Sequence, residues 1–126
     1  MKNGLIKDEY GNSEYWLDGL RHRECGPAVE CNNGHRAWYI NGLLHREGDL
    51  PAVESYSGDR YWYKRGMKHR DSGPAVIKTN GDRHWYLDGK RYLEKEFKSK
   101  IRSINEEGGH NDMFKSLVGS LLEDRI

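Results

Sequence analysis

The sequence predicts a mainly β protein: tandem antiparallel β-hairpins forming an elongated single-layer twisted sheet, with one or two C-terminal α-helices. Three observations lead to it. A unit of about 23 residues recurs about four times between Tyr10 and Tyr92. Turn-forming Asp-Gly and Asn-Gly steps follow an aromatic pair in that unit. After Tyr92 the pattern stops, and apolar residues follow at helical spacing instead.

The repeat can be read position by position. Gly11, Gly34, Gly58 and Gly81 are 23, 24 and 23 residues apart. Four positions after each stands an aromatic residue (Tyr15, Trp38, Trp62, Trp85), and the next residue is aromatic too (Trp16, Tyr39, Tyr63, Tyr86). A second glycine follows at Gly19, Gly42, Gly66 and Gly89, then His22-Arg23, His45-Arg46 and His69-Arg70. Each full copy closes on Pro27-Ala28-Val29, Pro51-Ala52-Val53 or Pro74-Ala75-Val76. One extra residue within Glu47-Gly48-Asp49-Leu50 accounts for the single spacing of 24.

Each unit therefore reads as an aromatic strand, a turn, a His-Arg segment, a Pro-Ala-Val strand and a second turn. Asp18-Gly19, Asn41-Gly42, Arg65-Gly66 and Asp88-Gly89 make the first turn, because glycine accepts positive φ without steric cost. Asn33-Gly34 and Asn80-Gly81 make the turn at the other end. Proline is tolerated where the closing strand begins, since no ladder donor is yet needed there. Strand alternation places Tyr15/Leu17, Trp38/Ile40, Trp62/Lys64 and Trp85/Leu87 on one side, the expected buried stripe, joined by Val29, Val53 and Val76. Trp16, Tyr39, Tyr63 and Tyr86 fall on the other side with Glu14, Ala37, Tyr61 and His84, an aromatic and polar ladder left partly exposed.

Bulk composition narrows the function. Of 126 residues 35% are hydrophobic and 33% charged, yet the four Trp and eight Tyr are what disordered chains lack. A thin, solvated array with an aromatic core fits these values. With 21 basic and 20 acidic residues the net charge is +1, which gives no bulk electrostatic case for nucleic acid or an anionic membrane. Cys25 and Cys31 are too few for a disulfide framework or a Cys-only zinc site and are expected to be reduced thiols. Met1-Lys2-Asn3-Gly4-Leu5 does not resemble a signal peptide and no segment could span a bilayer, so a cytoplasmic location is expected.

The histidine column suggests a metal ladder until its spacing is considered. With two strands per unit and ~4.8 Å between strands, equivalent residues lie roughly 10 Å apart. Zinc needs its ligand nitrogens ~2 Å from one ion, so His22, His45 and His69 cannot share it. The expectation is a turn organiser that hydrogen-bonds backbone groups, with no metal and no cofactor.

The glycine, aromatic, glycine and histidine spacing resembles that of MORN repeats, in which an aromatic stands three positions before a glycine and a histidine three after it. Tyr63 to His69, Tyr39 to His45 and Trp16 to His22 carry this pattern. The chain departs from it in having Arg23, Arg46 and Arg70 where a glycine normally follows the histidine. Its His-Arg-x-x-Gly-Pro-Ala-Val variant (Leu-Pro-Ala-Val in the middle copy) looks like the divergent MORN-like repeats of small bacteriophage and bacterial proteins. The resemblance covers about residues 10 to 92. It implies a scaffold for protein–protein and sometimes phospholipid contacts, and says little more of function.

Two domains follow: residues 1–92, the hairpin array, and residues 93–126, a helical cap or interaction segment. Leu93, Phe97, Ile101 and Ile104 make an amphipathic helix, with Lys95, Lys98 and Lys100 outward and a break at Gly108-Gly109. Asn111 or Asp112 caps a second helix, whose Phe114, Leu117, Val118 and Leu121 are candidates for docking on a partner or forming a homodimer.

No nucleophile elbow, phosphate loop, metal cluster or paired-carboxylate motif stands out, and repeated columns suit recognition better than a single catalytic constellation, so no catalytic residue is assigned. The expected function is that of a non-catalytic protein-binding module. By resemblance alone, it is a phage-encoded inhibitor or adaptor acting on a host protein. Candidate binding residues are Trp16, Tyr39, Tyr61, Tyr63 and Tyr86 with Arg23, Arg46 and Arg70. Two alternatives remain. One is a phospholipid-headgroup or membrane-surface module using the three arginines, against which the near-neutral charge argues. The other is a single-stranded nucleic-acid binder in which aromatics interleave with Arg36, Arg60 and Arg83.

Overall fold

Four two-residue turns set the frame of the computed structural model, which describes residues 1–108. Asp18, Asn41, Arg65 and Asp88 have φ of 50°, 50°, 50° and 48°, and the glycine after each is also at positive φ. Two successive left-handed residues make the hairpin turn whose twist matches that of its strands. Contacts divide the chain into two units, Met1–Tyr92 and Leu93–Ile126.

The first unit is a mainly β, open antiparallel sheet. Its strands are β1 (Gly4–Lys7), β2 (Ser13–Leu17), β3 (Leu20–Arg21), β4 (Val29–Glu30), β5 (Arg36–Ala37), β6 (Tyr39–Ile40) and β7 (Leu43–Leu44). They continue as β8 (Val53–Glu54), β9 (Arg60–Tyr61), β10 (Tyr63–Lys64), β11 (Met67–Lys68), β12 (Val76–Ile77), β13 (Arg83–Leu87) and β14 (Lys90–Tyr92). The main sheet runs β1-β2-β4-β5-β8-β9-β12-β13-β14, while β3 pairs with β2, β6 with β7 and β10 with β11.

One residue per unit joins the two ladders. The N–H groups of Tyr15, Trp38 and Trp62 donate to the carbonyls of Ala28, Ala52 and Ala75 at 2.7, 2.8 and 2.7 Å. Their own carbonyls accept the N–H groups of His22, His45 and His69 at 3.0, 3.0 and 3.1 Å. Both groups of one strand residue point to the same edge, so the hairpin arm and the Pro-Ala-Val strand lie end to end along that edge. The chain between them leaves the sheet as a short excursion from arginine to proline.

That excursion decides which residue faces which way. Val29 lies opposite Glu14 and Ala37, Val53 opposite Ala37 and Tyr61, and Val76 opposite Tyr61 and His84. Directly opposed residues share a face. The three valines therefore stand on the Trp16/Tyr39 side, which corrects their expected place in the Trp38/Trp62 stripe. The alanines take that place, and Ala28, Ala52 and Ala75 are each 0% exposed. Trp62 over Ala75 is 5% exposed. Only a methyl group lies opposite each ring, because the ring and the arginine above it fill the remaining space.

Cohesion between units comes from backbone and histidine together. The turn glycines Gly42, Gly66 and Gly89 donate to the carbonyls of Arg21, Leu44 and Lys68 in the preceding unit at 2.8, 2.8 and 2.9 Å. The residue before each, Asn41, Arg65 or Asp88, donates its N–H to Nδ1 of His22, His45 or His69 at 2.9, 3.1 and 2.9 Å. The first turn has no preceding histidine. There the residues just before β1 serve instead: the Lys2 carbonyl accepts from Gly19 at 2.9 Å, and Asn3 Oδ1 accepts from Asp18 at 2.8 Å.

The second unit contains the helix α1, Glu94–Gly108. Glu96 reaches back to accept the Leu93 N–H at 3.0 Å, the carboxylate half of a capping box, and Glu94 and Glu96 both complement the positive end of the helix dipole. Of the expected apolar stripe, Leu93 and Ile104 are exposed. The expected second helix, with Phe114, Leu117, Val118 and Leu121, lies outside the described residues.

Enlarging the methyl group under a ring tests the register. Ala52→Leu forces Trp38 off the sheet and should cost about 1–3 kcal/mol, read as a lower urea midpoint. Val53→Leu, on the opposite face, should cost less.

Candidate functional site

The sheet has two unlike faces. On the first, Arg23, Arg46 and Arg70 stack their guanidinium groups on Tyr15, Trp38 and Trp62, 4.0, 3.6 and 3.9 Å from the ring centres. Each also donates an Nη1 hydrogen bond to the carbonyl of Pro27, Pro51 or Pro74, at 3.2, 3.0 and 3.2 Å, which closes the excursion loop over the ring. Arg46 further reaches Glu54, which also holds Arg36 at 2.6 Å. The inserted Gly48-Asp49 step is left-handed at both residues. Its Asp49 carboxylate accepts from Arg70 at 3.0 Å and from Ser72 at 2.7 Å, while its carbonyl accepts the Trp62 indole N–H at 3.1 Å. Open clefts of about 380 Å³ and about 290 Å³ lie between successive loops.

The histidines belong to this same framework. With Nδ1 accepting a backbone N–H, the ring proton sits on Nε2, which faces Glu24 at 3.5 Å in His22, Glu47 in His45 and Asp71 at 2.9 Å in His69. Each ring thus ties one loop to the next turn. Among the described residues no group of three or more His, Cys, Asp or Glu could hold a metal ion, and no helix is long and apolar enough to cross a membrane.

On the second face the hairpin register builds a row across the strands. Trp16 stands opposite Arg21, Tyr39 opposite Leu44, Tyr63 opposite Lys68 and Tyr86 opposite Arg91. A parallel row carries Glu14, Val29, Ala37, Val53, Tyr61, Val76 and His84. Cations lie over the rings: Lys2 is 4.4 Å from the Trp16 ring centre, Arg21 is 5.3 Å from Trp16 and 5.6 Å from Tyr39, and Lys68 is 5.1 Å from Tyr86. Burial first, then the neighbouring Tyr61, Tyr86 and Tyr39 phenols, push the Tyr63 hydroxyl above the usual tyrosine range. The tyrosines therefore form one half-buried cluster.

The predicted site residues thus fall into two sets that the structure does not bring together. Trp16, Tyr39, Tyr61, Tyr63 and Tyr86 share one face, while Arg23, Arg46 and Arg70 lie on the other, engaged with rings and proline carbonyls. Sequence reasoning missed Lys2, Arg21, Lys68 and Arg91. A signal for the last three was present, since a two-residue turn at Asp18-Gly19, Arg65-Gly66 or Asp88-Gly89 pairs the residue two before it with the residue two after it.

Comparison with protein-family models, curated proteins and solved structures found no match.

Two predictions follow from this framework. His45→Ala removes the acceptor for the Arg65 N–H and should cost about 1 kcal/mol in urea unfolding. His45→Asn should recover part of that, as Asn3 serves the first turn in the same way.

Acid is the second lever. Hydrogen bonds from Arg70 and then Ser72 hold the Asp49 carboxyl below the usual aspartate range, and the hydrogen bond from His69 does the same for Asp71. As pH falls, the unfolded chain takes up these protons first. The stabilisation is complete above the unfolded value of ~3.9 and is lost as pH falls through the lower folded values. The urea midpoint should fall over that acid range, and less steeply in Asp49→Asn.

Proposed function

We propose that this chain is a non-catalytic protein-binding module of the MORN-like repeat type, whose tyrosine face meets the partner. One observation carries the reading: the loops that the arginines and histidines fasten lie over the opposite face, which leaves the tyrosine row half-buried with no loop of that kind over it. Tyrosine and tryptophan supply large, rigid, amphipathic contact area at low entropic cost, which is why they dominate binding hot spots. The row spans seven strand intervals, roughly 34 Å at ~4.8 Å each, a length that suits an interface of ordinary size. The resemblance to small bacteriophage and bacterial repeat proteins supports a more specific form of the role, an inhibitor or adaptor that occupies the surface of a host protein.

A face-specific crosslinker tests this. With a benzophenone amino acid at Tyr63 the chain should form an adduct with one protein in cells of its own source. The same group at Lys64, the next residue and on the opposite face, should form none. No adduct from Tyr63, or equal adducts from both positions, would overturn the reading.

A further inference from the structure

We propose that the tyrosine face recognises an acidic, carboxylate-bearing protein segment laid along the row from Trp16 to Arg91; this rests on the protein-binding reading above. The row has donors and cations in excess of acceptors. Among the described residues the indole N–H of Trp16 is buried with no hydrogen-bond partner. A buried donor left in that state is costly, and an acceptor relieves it once the side chains that cover it move aside. Lys2 and Arg21 flank the same ring, so an anionic acceptor is the kind the site favours.

Further along, Lys68 lies over Tyr86 and Arg91 donates from Nη2 to Nδ1 of His84 at 2.7 Å. Among the described residues only Arg21 of these four cations has a carboxylate at ion-pair distance, Glu14 at 2.9 Å. Asp59 and Asp82, also on this face, sit at the far end of the strands in hydrogen bonds to Thr79 and Asn80. Cations interleaved with aromatics and separated by Leu44 fit a segment that alternates carboxylates with apolar contacts. The net charge of +1 over the whole chain conceals this local excess.

Four tryptophans make the test direct, because only Trp16 lies on this face. The full chain, labelled with ¹⁵N, is titrated with poly-L-glutamate at low salt. The Trp16 indole N–H resonance should shift while those of Trp38, Trp62 and Trp85 stay in place. Added salt should weaken the effect. The double variant Lys68→Glu, Arg91→Glu should bind at least about tenfold more weakly, whereas Lys64→Glu should leave binding unchanged.

Absence of a Trp16 shift, an equal shift with poly-L-lysine, or tighter binding of oligo-dT or phosphatidylserine vesicles would overturn the proposal. The Tyr63 crosslink separates the two failures. An adduct that persists when polyglutamate does not bind leaves the protein-binding reading standing and removes only the acidic partner. Loss of that adduct removes the reading itself.

Discussion

A sheet with no second layer of its own depends on how each unit is fastened to the next, and here the fastening is a ring nitrogen. Nδ1 of His22, His45 and His69 accepts the backbone N–H of the residue that opens the following turn. At the start of the array Asn3 presents an amide oxygen in the equivalent position. The same histidines turn Nε2 toward carboxylates in their own loops. One side chain thereby fixes a loop, a turn and the step between units. The fourth unit carries Tyr92-Leu93 where His-Arg would stand, and among the described residues the helix α1 follows it rather than another turn of this kind. What looked in the sequence like lost regularity is the end of a nearest-neighbour series.

This fastening divides the labour of the two faces. Arginines seal the rings of Tyr15, Trp38 and Trp62 from above, with the proline carbonyls completing each loop. The insertion in the second loop extends the scheme, since Asp49 reaches Arg70, Ser72 and the Trp62 indole of the next unit. The loop-fastening hydrogen bonds are therefore concentrated on one side, while the other side joins units through rings and cations. The tyrosines, and the cations that the hairpin register places between them, remain on the other.

Much of this was legible beforehand. The repeat, its hairpin turns and the helix after Tyr92 could be read directly, because each depends on contacts between near neighbours in sequence. Left-handed residues at Asp18 and Gly19 are a local demand, and so is the capping of α1 by Glu96. That a repeated histidine serves the backbone was expected by analogy with other repeat motifs. Which backbone it serves was not, since Arg65 lies 20 positions beyond His45.

The sequence by itself thus determined the unit, its turns and the two aromatic columns. Tertiary structure decided the facing of the closing strand and the separation of arginine from tyrosine. Alternation can be counted only along continuous strand, and the chain leaves the sheet between each arginine and the next alanine. The second loop is one residue longer than the others, yet Ala52 is as buried as Ala28 and Ala75. Pairing across the ladder, not the number of residues in the loop, sets which side each residue faces. For that reason the valines were misplaced, and the arginines, expected to join the outward tyrosines in one binding surface, close over Tyr15, Trp38 and Trp62 instead.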